Sequence, residues 1–117
     1  MYYTEMDGHT YPAIQHIHQL DGNKVVTWSR SITSANLLEV EAGTNGYQGG
    51  DAGHGCRTYL RFQDEGGTDM KCRTLTDRYG NDEGFELILG GDCELETTIE
   101  ALKWMISVLE TQSETGR

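Results

Sequence analysis

Apolar and polar positions alternate along most of the chain up to residue 89, after which the period lengthens to that of a helix. In residues 11–20, Ala13, Gln15, Ile17 and Gln19 fall on one side of an extended chain, and Ile14, His16 and His18 on the other. Asp21-Gly22-Asn23 follows, where both central turn positions tolerate φ > 0, so residues 24–33 are predicted to return as the second strand of a hairpin. Trp28 and Arg30 share one side of that strand. A third strand is expected over residues 34–42, with Leu38 and Val40 opposed to Glu39 and Glu41. Residues 56–63 alternate again, Cys56, Thr58, Leu60 and Phe62 inward and Arg57, Tyr59 and Arg61 outward. Pairing this strand with the third sets Glu39 and Glu41 opposite the arginines. Residues 69–76 repeat the pattern, with Met70 and Cys72 inward and Lys71 and Arg73 outward. A polar loop (77–84) and a short strand (85–89) follow.

Past Gly90-Gly91, Asp92 is a suitable N-cap, and Glu94 and Glu96 suit the positive end of a helix dipole. Leu95, Ile99, Leu102, Ile106 and Leu109 form the expected core stripe. Ala101, Trp104, Met105 and Val108 widen the apolar arc to roughly 200°, about twice what one sheet covers. Trp104, Met105 and Val108 are therefore expected at an oligomer interface, most simply that of a twofold dimer. These elements predict an α+β fold: an antiparallel sheet of five or six strands with the C-terminal helix packed on one face. A single domain over 1–117 is expected, with an irregular start (1–10) and a frayed tail (112–117).

Between the third and fourth predicted strands lies GTNGYQGGDAGHG, with six glycines from Gly43 to Gly55. Glycine at this density permits positive φ and close approach of backbone amides to a ligand. It matches neither a dinucleotide-binding fingerprint nor a Walker loop, because a strand and not a helix follows. The expected ligand site comprises Gly49, Gly50, Asp51, Gly53, His54, Gly55, Arg57, Tyr59, Arg61 and Arg73. Loop amides and His54 would meet polar groups, the arginines would supply charge, and Tyr59 would stack on a ring. The competing reading is a wide surface loop beside a solvated sheet face, its cations balanced by Glu39, Glu41 and Glu86. His16 and His18 share one strand face at a spacing metal sites use, but a convincing third ligand is absent. No metal, cofactor or catalytic residue is assigned, since no nucleophile elbow or metal set is present.

Charge narrows the partners. With 19 acidic against 9 basic residues the chain carries a formal charge of −10, which disfavours direct binding to nucleic acid or an anionic membrane. No stretch reads as a signal peptide or a membrane span. Three cysteines without C-x-x-C spacing suit reduced thiols in a cytoplasm. The strings GTNGYQGGDAGHGCRTYLR and LILGGDCELETTIEAL resemble short uncharacterised proteins of Firmicutes and their phages. That resemblance implies a phage or mobile-element setting, in which compact proteins of the host cytoplasm disarm immunity. Two functions suit it: non-enzymatic sequestration of a small anionic, nucleotide-like immune signal, or acidic inhibition of a basic host protein such as a nuclease effector.

Overall fold

The computed structural model describes residues 3–6, 9–33, 37–49 and 55–115. Strands β1 (Tyr3–Met6) and β2 (His9–Pro12) pair antiparallel where the sequence reading expects an irregular start. Strands β3 (Ile14–Leu20), β4 (Asn23–Ile32), β5 (Leu37–Thr44) and β6 (Thr58–Gly66) then form an antiparallel sheet in sequential order. The β3–β4 turn takes the expected form, with Asp21 at φ 53° and Gly22 at φ 82°. The α+β class holds, but the strands are divided. Among the described residues, strands β7 (Met70–Thr76) and β8 (Asp82–Leu89) pair only with each other, so Lys71 and Arg73 do not join the β6 face.

Helix α1 (Asp92–Thr115) lies mainly along β5 and contacts β4 as well. Gly91, at φ +115°, accepts the first intrahelical bond from Leu95 N at 3.1 Å, so Gly91 and not Asp92 occupies the N-cap. The core joins Trp28 and Ile32 of β4, Leu38, Val40 and Ala42 of β5, and Ala101, Trp104, Met105 and Val108 of the helix. This overturns the assignment of the two helical stripes. Trp104, Met105 and Val108 are buried against the chain's own sheet, whereas Leu95, Ile99, Leu102 and Ile106 are exposed.

Polar anchors set this rotation. Arg30 Nη2 donates to Glu100 Oε1 at 3.1 Å and its guanidinium lies 5.8 Å from the Trp104 ring centre. Burial pushes the Arg30 pKa down, against the opposing pull of Glu100. At the other end Gln112 Nε2 donates to Val26 O (2.8 Å), while its Oε1 accepts from Thr44 N (2.9 Å). Gln112 therefore ties down a turn expected to fray. Glu94 Oε2 accepts from Asp69 N at 3.0 Å and fixes the first turn. The inward assignment of Cys56 and Cys72 is also corrected, since both thiols and that of Cys93 are exposed. The reason is that the helix covers only the middle of the sheet and β7–β8 stands outside it. Among the described residues no helix is long and apolar enough to cross a membrane.

Gly43 permits the close approach of β5 to β4. A Cβ there would lie 2.4 Å from Val26 O and 2.6 Å from Thr27 Cα, both backbone atoms that cannot swing aside. Gly43→Ala is expected to cost about 1–3 kcal/mol in chemical denaturation, the usual range for overpacking. An unchanged midpoint would show that the two strands have slack.

Candidate functional site

The sheet face away from the helix carries a polar network on a floor of small residues. Registers place Ser29 of β4 beside Glu41 of β5 and Glu41 beside Arg61 of β6; one row along, His16, Thr27, Gly43 and Tyr59 follow each other across the four strands. Thr27 and Ser29 are buried, and Gly43 has no side chain, so long residues from the edge strands lean inward over them. The His18 and Tyr59 rings stack at 4.3 Å with an 18° interplanar angle. Their strands lie three strand spacings apart, about 14 Å, a gap closed by the reach of both side chains and the curl of the sheet.

Glu41 is the centre of this face. Its side chain is only 4% exposed, and its two oxygens are surrounded by donors. Oε2 accepts from Thr27 Oγ1 (2.5 Å) and from His18 Nε2 (2.6 Å), and Oε1 accepts from Arg61 Nε (3.0 Å). Against an ionised carboxylate the His18 nitrogen is the N–H donor, whichever charge the ring carries. Burial pushes the Glu41 carboxyl up. The hydrogen bonds from Thr27, His18 and Arg61, with His16 nearby, outweigh that and hold it below the ordinary glutamate value. Arg61 is equally committed: Nη2 bonds Glu39 and Nη1 bonds Gln63. Its pKa is lowered by burial but raised further by the two glutamates, for a net upward shift. His16 Nε2 meets Ser29 Oγ at 2.8 Å.

The glycine-rich loop opens at the end of this face, and its neck is tightly bonded. Asn45 Nδ2 donates to Gly55 O (2.9 Å), Arg57 N donates to Asn45 Oδ1 (2.8 Å), and Thr44 Oγ1 donates to Arg57 O (3.0 Å). Gly46, Gly49 and Gly55 all take positive φ. Gly50, Asp51, Gly53 and His54 lie outside the described residues. Arg57, one residue before β6 begins, donates from Nε to Asp21 Oδ2 at 3.0 Å and from Nη1 to Cys56 O at 2.9 Å. That Asp21 side chain is 79% exposed.

The structure thus gathers Arg57, Tyr59 and Arg61 with the neck glycine Gly55, and separates Arg73. Arg73 sits on β7, where it pairs with Glu86 of β8. Sequence reasoning passed over Glu41 and His18 as members of one site. The signal was present in His16-x-His18, Thr27-x-Ser29 and Glu39-x-Glu41, three alternations of polar residues on adjacent strands, but only the cross-strand register aligns them. Among the described residues no group of three or more His, Cys, Asp or Glu side chains is gathered to hold a metal ion. A hollow of about 250 Å³ lies on the opposite side of the loop neck, between Tyr47, Cys56, Thr58 and the helix residues Leu109, Glu110 and Ser113. With a carboxylate and no cation in its lining it does not suit an anion. No family model, curated protein or solved structure matches the chain.

Glu41→Gln keeps the shape and removes the charge. It is expected to lower unfolding free energy by about 2 kcal/mol at neutral pH, since hydrogen bonds to a buried charge contribute ~1.5–3 kcal/mol. The folded-state pKa of Glu41 is depressed, so its contribution is present above the unfolded value of about 4.3 and is lost as pH falls below that value through the folded one. Denaturation of both proteins across the acid range is therefore expected to show a stability gap that closes on acidification. A gap that widens instead contradicts the role assigned to the carboxylate.

Proposed function

We propose that the protein binds a small anionic, nucleotide-like ligand without transforming it, at the mouth of the glycine-rich loop. The ring of the ligand packs on the Tyr59–His18 stack, and its phosphate meets Arg57 and the loop. One observation carries this reading: the arginines of this face are not equivalent. Arg61 is held by two glutamates, one of them buried, and it serves as scaffold. Arg57 is held by an exposed aspartate, and an exposed pair of this kind contributes only about 0–1 kcal/mol. An entering phosphate can therefore take the place of Asp21 at little cost, whereas displacing Glu41 from Arg61 would strip a buried carboxylate of its guanidinium partner. Arg73 drops out of the site. The resemblance to phage proteins adds the setting, sequestration of an immune signal in the host cytoplasm.

The second reading, an acidic inhibitor of a basic host protein, has its own support. Arg57, Arg61 and Arg73 are each already paired with a carboxylate, so the surplus charge of −10 is left to the remaining acids.

Titration calorimetry with mononucleotides, cyclic dinucleotides and inorganic phosphate tests the first reading. At least one nucleotide is expected to bind, and Arg57→Ala and Tyr59→Leu are each expected to weaken it about tenfold or more, an interaction of ~1.4 kcal/mol. Arg73→Ala is expected to leave affinity unchanged. Absence of binding by any nucleotide, with recovery of a basic host protein on the purified chain, decides for the inhibitor.

A further inference from the structure

Helix α1 presents two apolar faces, and the sheet uses one. Thr97, Ala101, Trp104, Met105 and Val108 are buried under it. The centre of the second face, Leu95, Ile99, Leu102 and Ile106, lies about 145° around the helix at 100° per residue. These four side chains are 59%, 46%, 44% and 54% exposed. Their spacing of four, three and four residues, extended by Leu109 after three more, is the a/d repeat of a two-stranded helical pair. Leu109 packs against the edge of the core, and among the described residues the other four stay exposed.

We propose that this stripe is the interface of a twofold homodimer in which α1 pairs antiparallel with α1 of a second copy. Three observations select that occupant. The first is exposure: Leu95, Ile99, Leu102 and Ile106 run as one contiguous apolar stripe, each 44% exposed or more, the kind of patch that marks an interaction surface.

The second is self-complementary packing. A twofold axis crossing the helix between residues 100 and 101 sets Leu95 against the partner's Ile106 and Ile99 against the partner's Leu102. Symmetry repeats both layers, so all four exposed side chains are covered at once.

The third is charge. Lys103 is the one basic residue of α1, beside six acids, and both Lys103 and Glu96 are exposed. They flank the stripe on one side, each directly following a leucine of the repeat. In the register that packs the layers, Glu96 faces the partner's Lys103, twice per dimer. A parallel in-register pair instead places these two positions, both directly following a d residue, on opposite flanks of the seam, where neither meets the other, and aligns the two helix dipoles unfavourably.

Sedimentation velocity of the full chain over a wide concentration range, with charge-reversed variants, tests both the surface and the register. The native chain is expected to be dimeric, and Leu102→Glu monomeric with unchanged far-UV circular dichroism. Glu96→Lys and Lys103→Glu are each expected to raise the dimer Kd about tenfold or more, because each turns two attractive contacts into repulsive ones. The double reversal restores the attraction and is expected to return Kd to within about threefold of native. A native chain that stays monomeric overturns the proposal, as does a dimer indifferent to Leu102→Glu. A dimer that the single reversals weaken and the double fails to rescue overturns the antiparallel register. None of these outcomes depends on ligand binding.

Discussion

A carboxylate buried in the middle of a sheet face is the constraint around which this fold is arranged. Glu41 is 3% exposed, and an ionised group so placed survives only when its oxygens are fully supplied with donors. Supplying them fixes residues from three other strands: His18 on β3, Thr27 on β4 and Arg61 on β6. These bonds reach across every strand of the central sheet. A one-residue slip in any pairing would move a donor to the far face, so the network selects the register as well as depending on it.

The same network decides which cations remain available. By saturating Arg61, the glutamates convert it from a prospective ligand contact into part of the frame. Arg57 stands four residues away, just before β6 and outside this network, tethered to an exposed turn aspartate. It shares the sheet edge with the bonded neck of the glycine-rich loop. Tyr59 lies between the two arginines and reaches over Gly43 to His18. Tyr59 and Arg61 are thus set side by side by alternation along β6, and Arg57 by the bonded loop neck that leads into it.

On the opposite face the helix is oriented by polar contacts at its ends and middle. Glu94, Glu100 and Gln112 each reach a partner outside the helix, and the three lie on the side of the Trp104 face. Apolar burial alone does not distinguish the two stripes, since each offers several large side chains and burial is non-directional. The directional bonds break that tie. They seat the small residues Thr97 and Ala101 against β5 and leave the leucine and isoleucine repeat facing outward.

Local pattern alone determined much of this protein. Period-two alternation marked strands β3 to β8 though not β1 and β2, Asp21-Gly22 marked the β3–β4 turn through its positive φ, and Gly90-Gly91 marked the change to helical period. Even the opposition of Glu41 and Arg61 was legible, because a loop joining two alternating strands implies their pairing. Those features depend on residues close in sequence or on one inferred pairing. Which helical stripe meets the sheet, which arginine is bound to which carboxylate, and where β7–β8 stands were decided only in three dimensions. Each depends on distances between residues far apart along the chain, such as Arg30 to Glu100, Val26 to Gln112 and His18 to Glu41, and a local period carries no record of them.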